Sequence, residues 1–274
     1  MVNNEIILTF TTWKRRIGNI PVVLDSILKQ TMTPGKIVLN LSSSEFQDKE
    51  TDIPKNVLLF LKKNNVEINW IDGSNTRQWK KIIPTLNRYP DKWVVCIDDD
   101  RIYKPLFIEK LWKKHLDNPN NAITVNRGYR VNGCLQHCGH GTLECARFYN
   151  YFKGIDIEEI RKITESSDTM FTFFLNKFGH PLICTDADYS KMYNEIAPLS
   201  KSSGTCTRVK HLEIWNWLTK KYGTVKPQMP VIKDNNDSKD ILTTMYGDVI
   251  KLKIKKTTNN LPNLKNKMVV RKFR

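Results

Sequence analysis

An apolar run that ends in three consecutive carboxylates constrains this chain more than any other stretch. Trp93, Val94, Val95, Cys96 and Ile97 lead directly into Asp98, Asp99 and Asp100, within WVVCIDDDRIY. A continuous apolar run of this length, β-branched in part, predicts a strand buried on both faces of a parallel sheet. Three like charges at its end repel and raise one another's pKa unless positive charge sits among them. Hard carboxylate oxygens suit magnesium or manganese, and a divalent cation shared with a phosphate-bearing ligand relieves the repulsion most economically. A solvated acidic turn explains one such Asp easily and three poorly. Ligands of open α/β sheets bind at the carboxyl edge of the strands, where this triplet falls.

The segments before the triplet alternate between strand and helix patterns. Glu5–Phe10, Lys36–Leu41 and Glu67–Ile71 are short apolar runs, and Ile20–Gln30 carries Ile20, Val23, Leu24, Ile27 and Leu28 on one helical face. Thr33-Pro34-Gly35 and Asp72-Gly73 read as turns. Arg77–Asn87 has helical spacing, with Pro84 expected to kink it or to start a second helix. Such alternation is the pattern of βαβ units around a parallel sheet. Neither G-x-G-x-x-G after the first strand nor G-x-x-x-x-G-K-[ST] occurs, so a Rossmann cofactor site and a P-loop are both unsupported.

Three linked blocks carry a resemblance. LTFTTWKRRI, SILKQTMTPGKIVLNLSSSEF and WKKIIPTLNRYPDKWVVCIDDDRIY resemble successive blocks of bacterial family-2-type glycosyltransferases, the GT-A enzymes of polysaccharide and lipopolysaccharide assembly. The likeness spans about residues 5–110. It implies an α/β protein of GT-A type, with a Rossmann-like, mostly parallel central sheet and flanking helices, followed by a basic C-terminal extension. The expected organisation is a catalytic domain over 1–225, with a nucleotide-binding half over 1–110 and an acceptor half over 111–225, then the extension over 226–274.

By the same resemblance Asp98-Asp99-Asp100 is a DxD motif. Asp100 is assigned chiefly to Mn2+ or Mg2+, Asp98 to the ribose or the metal, and Asp99 to either or neither. Thr9, Thr11 and Arg16 match the nucleotide-facing first block, Asp72 a base-contacting acid, and Lys81, favoured over Lys80, a nucleotide-binding lysine. The general base falls on Asp168, with Glu165 as fallback, at the start of a helix carrying Met170, Phe171, Phe173, Phe174 and Phe178. Asp168 also suits a first helical turn on dipole grounds alone, with Ser166 or Ser167 as N-cap. His140-Gly141-Thr142-Leu143 stands where the family has a glycine-containing loop near the donor sugar, without the prolines that usually follow.

His211, in the helical pattern Arg208–Tyr222, is either a third metal ligand or a structural histidine. Cys134, His137, Cys138, His140 and Cys145 invite a zinc reading but contain no C-x₂-C pair, and buried free thiols are the alternative. Lys+Arg 44 against Asp+Glu 28 gives a formal net charge of +16, which suits acidic partners. The tail after Asp248 is rich in lysine without an acid, and Ile250, Leu252 and Ile254 alternate with lysines. It fits either an anionic membrane surface or a solvated extension. No signal peptide and no membrane span are expected, which places the chain in the cytoplasm, peripheral at the inner face of the membrane if the tail binds lipid.

The expected activity is metal-dependent, inverting transfer of a sugar, with a UDP-sugar the favoured donor and a lipid-linked glycan the acceptor. A haloacid-dehalogenase-type phosphatase is a second reading of Asp98-x-Asp100, weakened because the motif follows a fourth strand and continues Arg-Ile-Tyr. A basic nucleic-acid-binding protein is the non-enzyme alternative; it has the charge but none of the usual motifs, and nucleic acid is not the expected partner.

Overall fold

A computed structural model describes residues 1–73, 76–126, 128–164, 167–192, 208–226, 241–243 and 249–251. The chain divides into two units, Met1–Pro230 and Val231–Arg274. The first is built on a seven-stranded, mostly parallel sheet flanked by helices. Val2–Thr11 (β1) lies between Thr33–Ser42 (β2) and Trp93–Cys96 (β4), parallel to both, and Glu67–Ile71 (β3) extends the sheet beyond β2. On the other side Thr142–Glu144 (β9) runs antiparallel between β4 and Ala122–Thr124 (β6), and Leu182–Cys184 (β10) closes that edge parallel to β6.

Burial explains why these segments are strands. All four residues of β4 are buried, as are Ile6 to Phe10 in β1 and Ile37 to Ser42 in β2. Strands covered on both faces read as near-continuous apolar runs, and these do, with Thr9, Asn40 and Ser42 as the buried polar exceptions. Ile20–Leu28 (α1) buries Ile20, Val23, Leu24 and Ile27, the face its spacing predicts. Lys55–Lys63 (α2) buries Val57 and Leu61.

Two expectations are refined. The predicted helix over Arg77–Asn87 is a 3₁₀ turn, Arg77–Lys81, followed by Ile83–Arg88 (α3), with Pro84 in its first turn. Proline there loses no hydrogen bond, because the first N–H groups of a helix are unpaired anyway. Thr33-Pro34-Gly35 is not a turn but the start of β2, pairing beside an irregularity between Asn3 and Ile7. Gly35 permits the approach: a Cβ there would lie 2.7 Å from the Asn4 Cα. Among the described residues Arg130–Val131 (β7) pairs with Cys134–Leu135 (β8), outside the main sheet.

After β4 the chain turns through the acidic triplet into Arg101–Tyr103 (β5), which pairs antiparallel with Tyr189–Lys191 (β11). Phe107–Asp117 (α4), Ile157–Ile163 (α5), Ser167–Lys177 (α6) and Arg208–Tyr222 (α7) complete the unit's helices among the described residues. None is long and apolar enough to cross a membrane. In the second unit Ile241–Thr243 (β12) and Val249–Lys251 (β13) pair antiparallel; Leu252, Ile254 and the basic residues after them lie outside the described residues.

The junction of β6 and β9 depends on a missing side chain. The Val125 N–H donates to the Gly141 carbonyl at 2.9 Å, and a Cβ on Gly141 would fall 2.6 and 2.8 Å from the two Val125 methyls. Gly141→Ala is expected to lower stability by about 1–3 kcal/mol through overpacking. Urea unfolding checks this, and an unchanged midpoint would contradict it.

Candidate active site

The three carboxylates at the end of β4 are matched by side-chain cations drawn from elsewhere in the chain. The Arg16 guanidinium spans two of them: Nη1 lies 2.9 Å from Asp99 Oδ1 and Nη2 lies 2.6 Å from Asp100 Oδ2. Thr12 donates its hydroxyl to Asp99 Oδ2 at 2.6 Å. The Lys81 ammonium contacts Asp98 Oδ1, and Arg101 Nη1 stands 3.3 Å from Asp100 Oδ1. That Oδ1 is buried and accepts no hydrogen bond. The Asp98 N–H donates to the Tyr103 hydroxyl, which donates in turn to the His140 carbonyl.

The neighbours set different ionisation. Burial alone would raise the Asp98 carboxyl, but the Lys81 ammonium, with His140 and Arg101, brings it down to about 2. For Asp99 burial wins: Arg16 and Thr12 oppose it, Asp98 and Asp100 reinforce it, and the carboxyl is pushed up to about 6. Burial would also lower Lys81, yet the Asp98 charge holds it above its ordinary range.

The residues matched to a nucleotide site have distinct places. Thr9 is fully buried, so it does not face a ligand, contrary to expectation. Its hydroxyl donates to the Lys81 carbonyl at 2.6 Å and accepts from the Asn40 amide at 3.0 Å. Thr85 lies against both, and this polar knot inside the sheet fixes the backbone from which Lys81 reaches Asp98. Thr11 donates to the Asn40 carbonyl. Asp72 is exposed just past β3 and accepts from the Ser43 hydroxyl at 2.8 Å. Lys80 is buried with Glu45 3.4 Å away.

Asp168, in the first turn of α6, comes to the same place from the other side. Gly139 separates it from Lys81: a Cβ there would meet the Lys81 Nζ at 2.9 Å and the Asp168 Oδ1 at 3.7 Å. A cavity of about 520 Å³ opens beside it, with Asn126, Tyr129, Gln136, His140 and Tyr189 among its walls. Asp168 is about 38 % exposed into this space, and its Oδ1 lies 3.2 Å from His137 Nδ1. Glu165 and Ser166 lie outside the described residues.

Sequence reasoning missed what stands behind Asp168. The His137 ring is fully buried, with Nε2 3.3 Å from Glu144 Oε1, and Tyr149 donates its hydroxyl to the other Glu144 oxygen. Burial would lower the imidazole, but Glu144 and Asp168 outweigh it and hold His137 up at about 9. No sequence signal singled out Glu144, because its strand is only three residues long and has no readable period.

The cysteine and histidine cluster does not converge. Among the described residues no group of three or more His, Cys, Asp or Glu side chains is arranged to hold a metal ion. Burial raises the Cys134 and Cys145 thiols to about 11, and Cys138 also rises with burial. His211 Nδ1 is engaged by Thr169 and, at 3.3 Å, by Gln136, which ties α7 to α6 and β8 rather than to the Asp triplet. A cation at Asp98 and Asp100 would therefore draw its remaining ligands from phosphate oxygens and water, the usual habit of magnesium-type sites.

The architecture can now be set beside known ones. The mannosyltransferase PcManGT from Pyrobaculum calidifontis, determined in complex with GDP-Man and Mn2+, aligns with a TM-score of 0.54 at 12 % identity, covering 81 % of this chain. The fold is GT-A-like. The chain spans 65 % of the length of that mannosyltransferase. A 4-diphosphocytidyl-2C-methyl-D-erythritol synthase aligns with a TM-score of 0.45 at 11 % identity, over 76 % of this chain and 98 % of its own. No protein-family model and no curated protein sequence matches.

Arg16 is the residue on which the acidic cluster rests. Arg16→Met leaves two buried carboxylates short of countercharge, so a stability loss of about 3–5 kcal/mol is expected at neutral pH. Asp99 already has a folded-state pKa above its ordinary 3.8, near 6, and the substitution raises it further. The loss is therefore smallest below pH ~4 and grows as pH rises through and beyond 6. Chemical denaturation at pH 4, 6 and 8 measures it; a pH-independent loss would contradict this account.

Proposed function

We propose that this chain is a glycosyltransferase that moves a sugar from a nucleotide-sugar donor to a hydroxyl of a glycan acceptor. One observation carries the reading: the acidic triplet with its cations and the carboxylate of Asp168 meet across Gly139 at the carboxyl edge of a GT-A-like sheet. A diphosphate and an attacking hydroxyl need these two kinds of group a few ångströms apart.

Asp98-Asp99-Asp100 serves as the DxD motif, and Asp98 and Asp100 would hold Mn2+ or Mg2+, with Asp100 Oδ1, which accepts no hydrogen bond and faces Arg101 at 3.3 Å, as one ligand oxygen. A divalent cation supplies charge neutralisation to a departing diphosphate. Arg16, Arg101 and Lys81 concentrate positive charge at that position, which favours a leaving group that gains negative charge. Asp72, exposed just beyond β3, is assigned the contact to the nucleotide base by the resemblance. Asp168 takes the proton of the acceptor hydroxyl, whose oxygen attacks the anomeric carbon in line, inverting its configuration. Tyr129 and Tyr189 offer flat apolar faces to a sugar ring in the cavity.

The resemblance to family-2-type enzymes favours a UDP-sugar and a lipid-linked acceptor in surface polysaccharide synthesis. The Mn2+ and GDP-Man of the structural neighbour support a metal and a nucleotide-sugar donor. The basic C-terminal extension suits an anionic membrane surface at the cytoplasmic face, and His211 acts structurally in this reading.

A panel of UDP- and GDP-sugars with Mn2+ is expected to raise the melting temperature for the true donor, and transfer to be lost in Asp100→Ala. Asp168→Asn is expected to lower kcat by about 10²–10⁴-fold with folding intact. Full activity in Asp100→Ala would overturn the assignment.

A further inference from the structure

We propose that His137 is a positioning residue: a fixed imidazolium that clamps the Asp168 carboxylate from behind, anchored by the buried Glu144–Tyr149 pair. This rests on the reading of Asp168 as the base that accepts the acceptor proton.

The geometry, with both carboxylates ionised, points to a doubly protonated ring. Each ring nitrogen of His137 faces a carboxylate oxygen, Nδ1 toward Asp168 at 3.2 Å and Nε2 toward Glu144 at 3.3 Å. A neutral imidazole has one N–H and one lone pair, so it would set a lone pair against one of the two carboxylates. Only the doubly protonated ring donates to both. The ring and Glu144 are fully buried, leaving water no part in satisfying them. Tyr149 occupies the second Glu144 oxygen, and the backbone N–H of His137 donates to the Thr172 hydroxyl at 2.8 Å. Thr172 in turn donates to the Asp168 carbonyl, so α6 is gripped by both the backbone and the ring of His137. Phe171 covers the ring with centroids 4.8 Å apart.

Other charged and titratable groups face this chain from every side. Lys81, His140, Cys138 and His211 lie within electrostatic reach of Asp168, and Cys96, Cys145 and Tyr149 of Glu144. Burial keeps the thiols and the tyrosine neutral, so the ionic partners of His137 are the two carboxylates.

A ring that already carries both protons cannot accept another. His137 is therefore a clamp and not a proton shuttle: the proton taken from the acceptor stays on Asp168 until solvent in the cavity removes it. Losing the imidazolium frees the Asp168 carboxylate to rotate and should lower kcat while leaving donor KM alone.

The test joins a spectroscopic readout to a kinetic one on the full chain. Imidazole ¹⁵N NMR of the unmodified protein should show His137 with both nitrogens protonated at pH 7.5, assigned through His137→Gln or through contacts to the Phe171 ring. His137→Gln should lower kcat about tenfold or more, keep donor KM within about twofold, and abolish an alkaline limb of kcat seen in the parent. If His137→Gln does not fold, Glu144→Gln provides the same comparison. A neutral His137 at pH 7.5, or an unchanged kcat and alkaline limb in a folded variant, would overturn the proposal. Transfer that survives Asp168→Asn would instead overturn the base assignment, and the positioning role with it, while the ¹⁵N spectrum still reports the imidazolium; the two failures are thus distinguishable.

Discussion

Three carboxylates crowded at the end of a buried strand are tolerable only because a guanidinium lies between two of them and an ammonium meets the third. Arg16 comes from the loop after β1, Lys81 from the 3₁₀ turn before α3, and Arg101 from the residue after the triplet. Each cation thereby ties a different segment to the carboxyl edge of β4. Removing one partner of a buried ion pair costs more than the pair contributes, because the remaining charge stays desolvated. The loops around this edge are consequently held by electrostatics as much as by packing. A ligand that brings its own charges would rearrange these pairings.

The second half of the unit supplies the opposite wall. The antiparallel β9 inserts between β4 and β6, and so carries Glu144 into the centre of the sheet. Its charge meets His137, which lies between Glu144 and Asp168 and brings the first turn of α6 to the triplet. Gly139 allows Lys81 and Asp168 to approach within a few ångströms of one backbone, where any side chain would intervene. The site is thus a seam between two charge networks, one centred on Arg16 and one on His137.

The parallel part of the fold was legible because its strands are covered on both faces, so β1, β2 and β4 read as near-continuous apolar runs. The triplet was legible because charge so seldom follows such a run. Thr9 was misread: a hydroxyl at a strand end looks the same in sequence whether it faces a ligand or satisfies a buried carbonyl, as it does with Lys81. β9 was invisible because three residues carry no period, and His137 because its partners lie 7 and 31 residues away. The cysteine cluster shows the same limit, since proximity in sequence did not become convergence in space among the described residues.

Asp168 and the triplet are proposed to form one glycosyl-transfer site. Following the anomeric configuration of the product by NMR tests it most directly, with the protein, Mn2+, a nucleotide sugar from the panel and a hydroxyl acceptor. The account predicts release of nucleoside diphosphate and a product of inverted configuration. Retained configuration, or no diphosphate release from any donor, would contradict it.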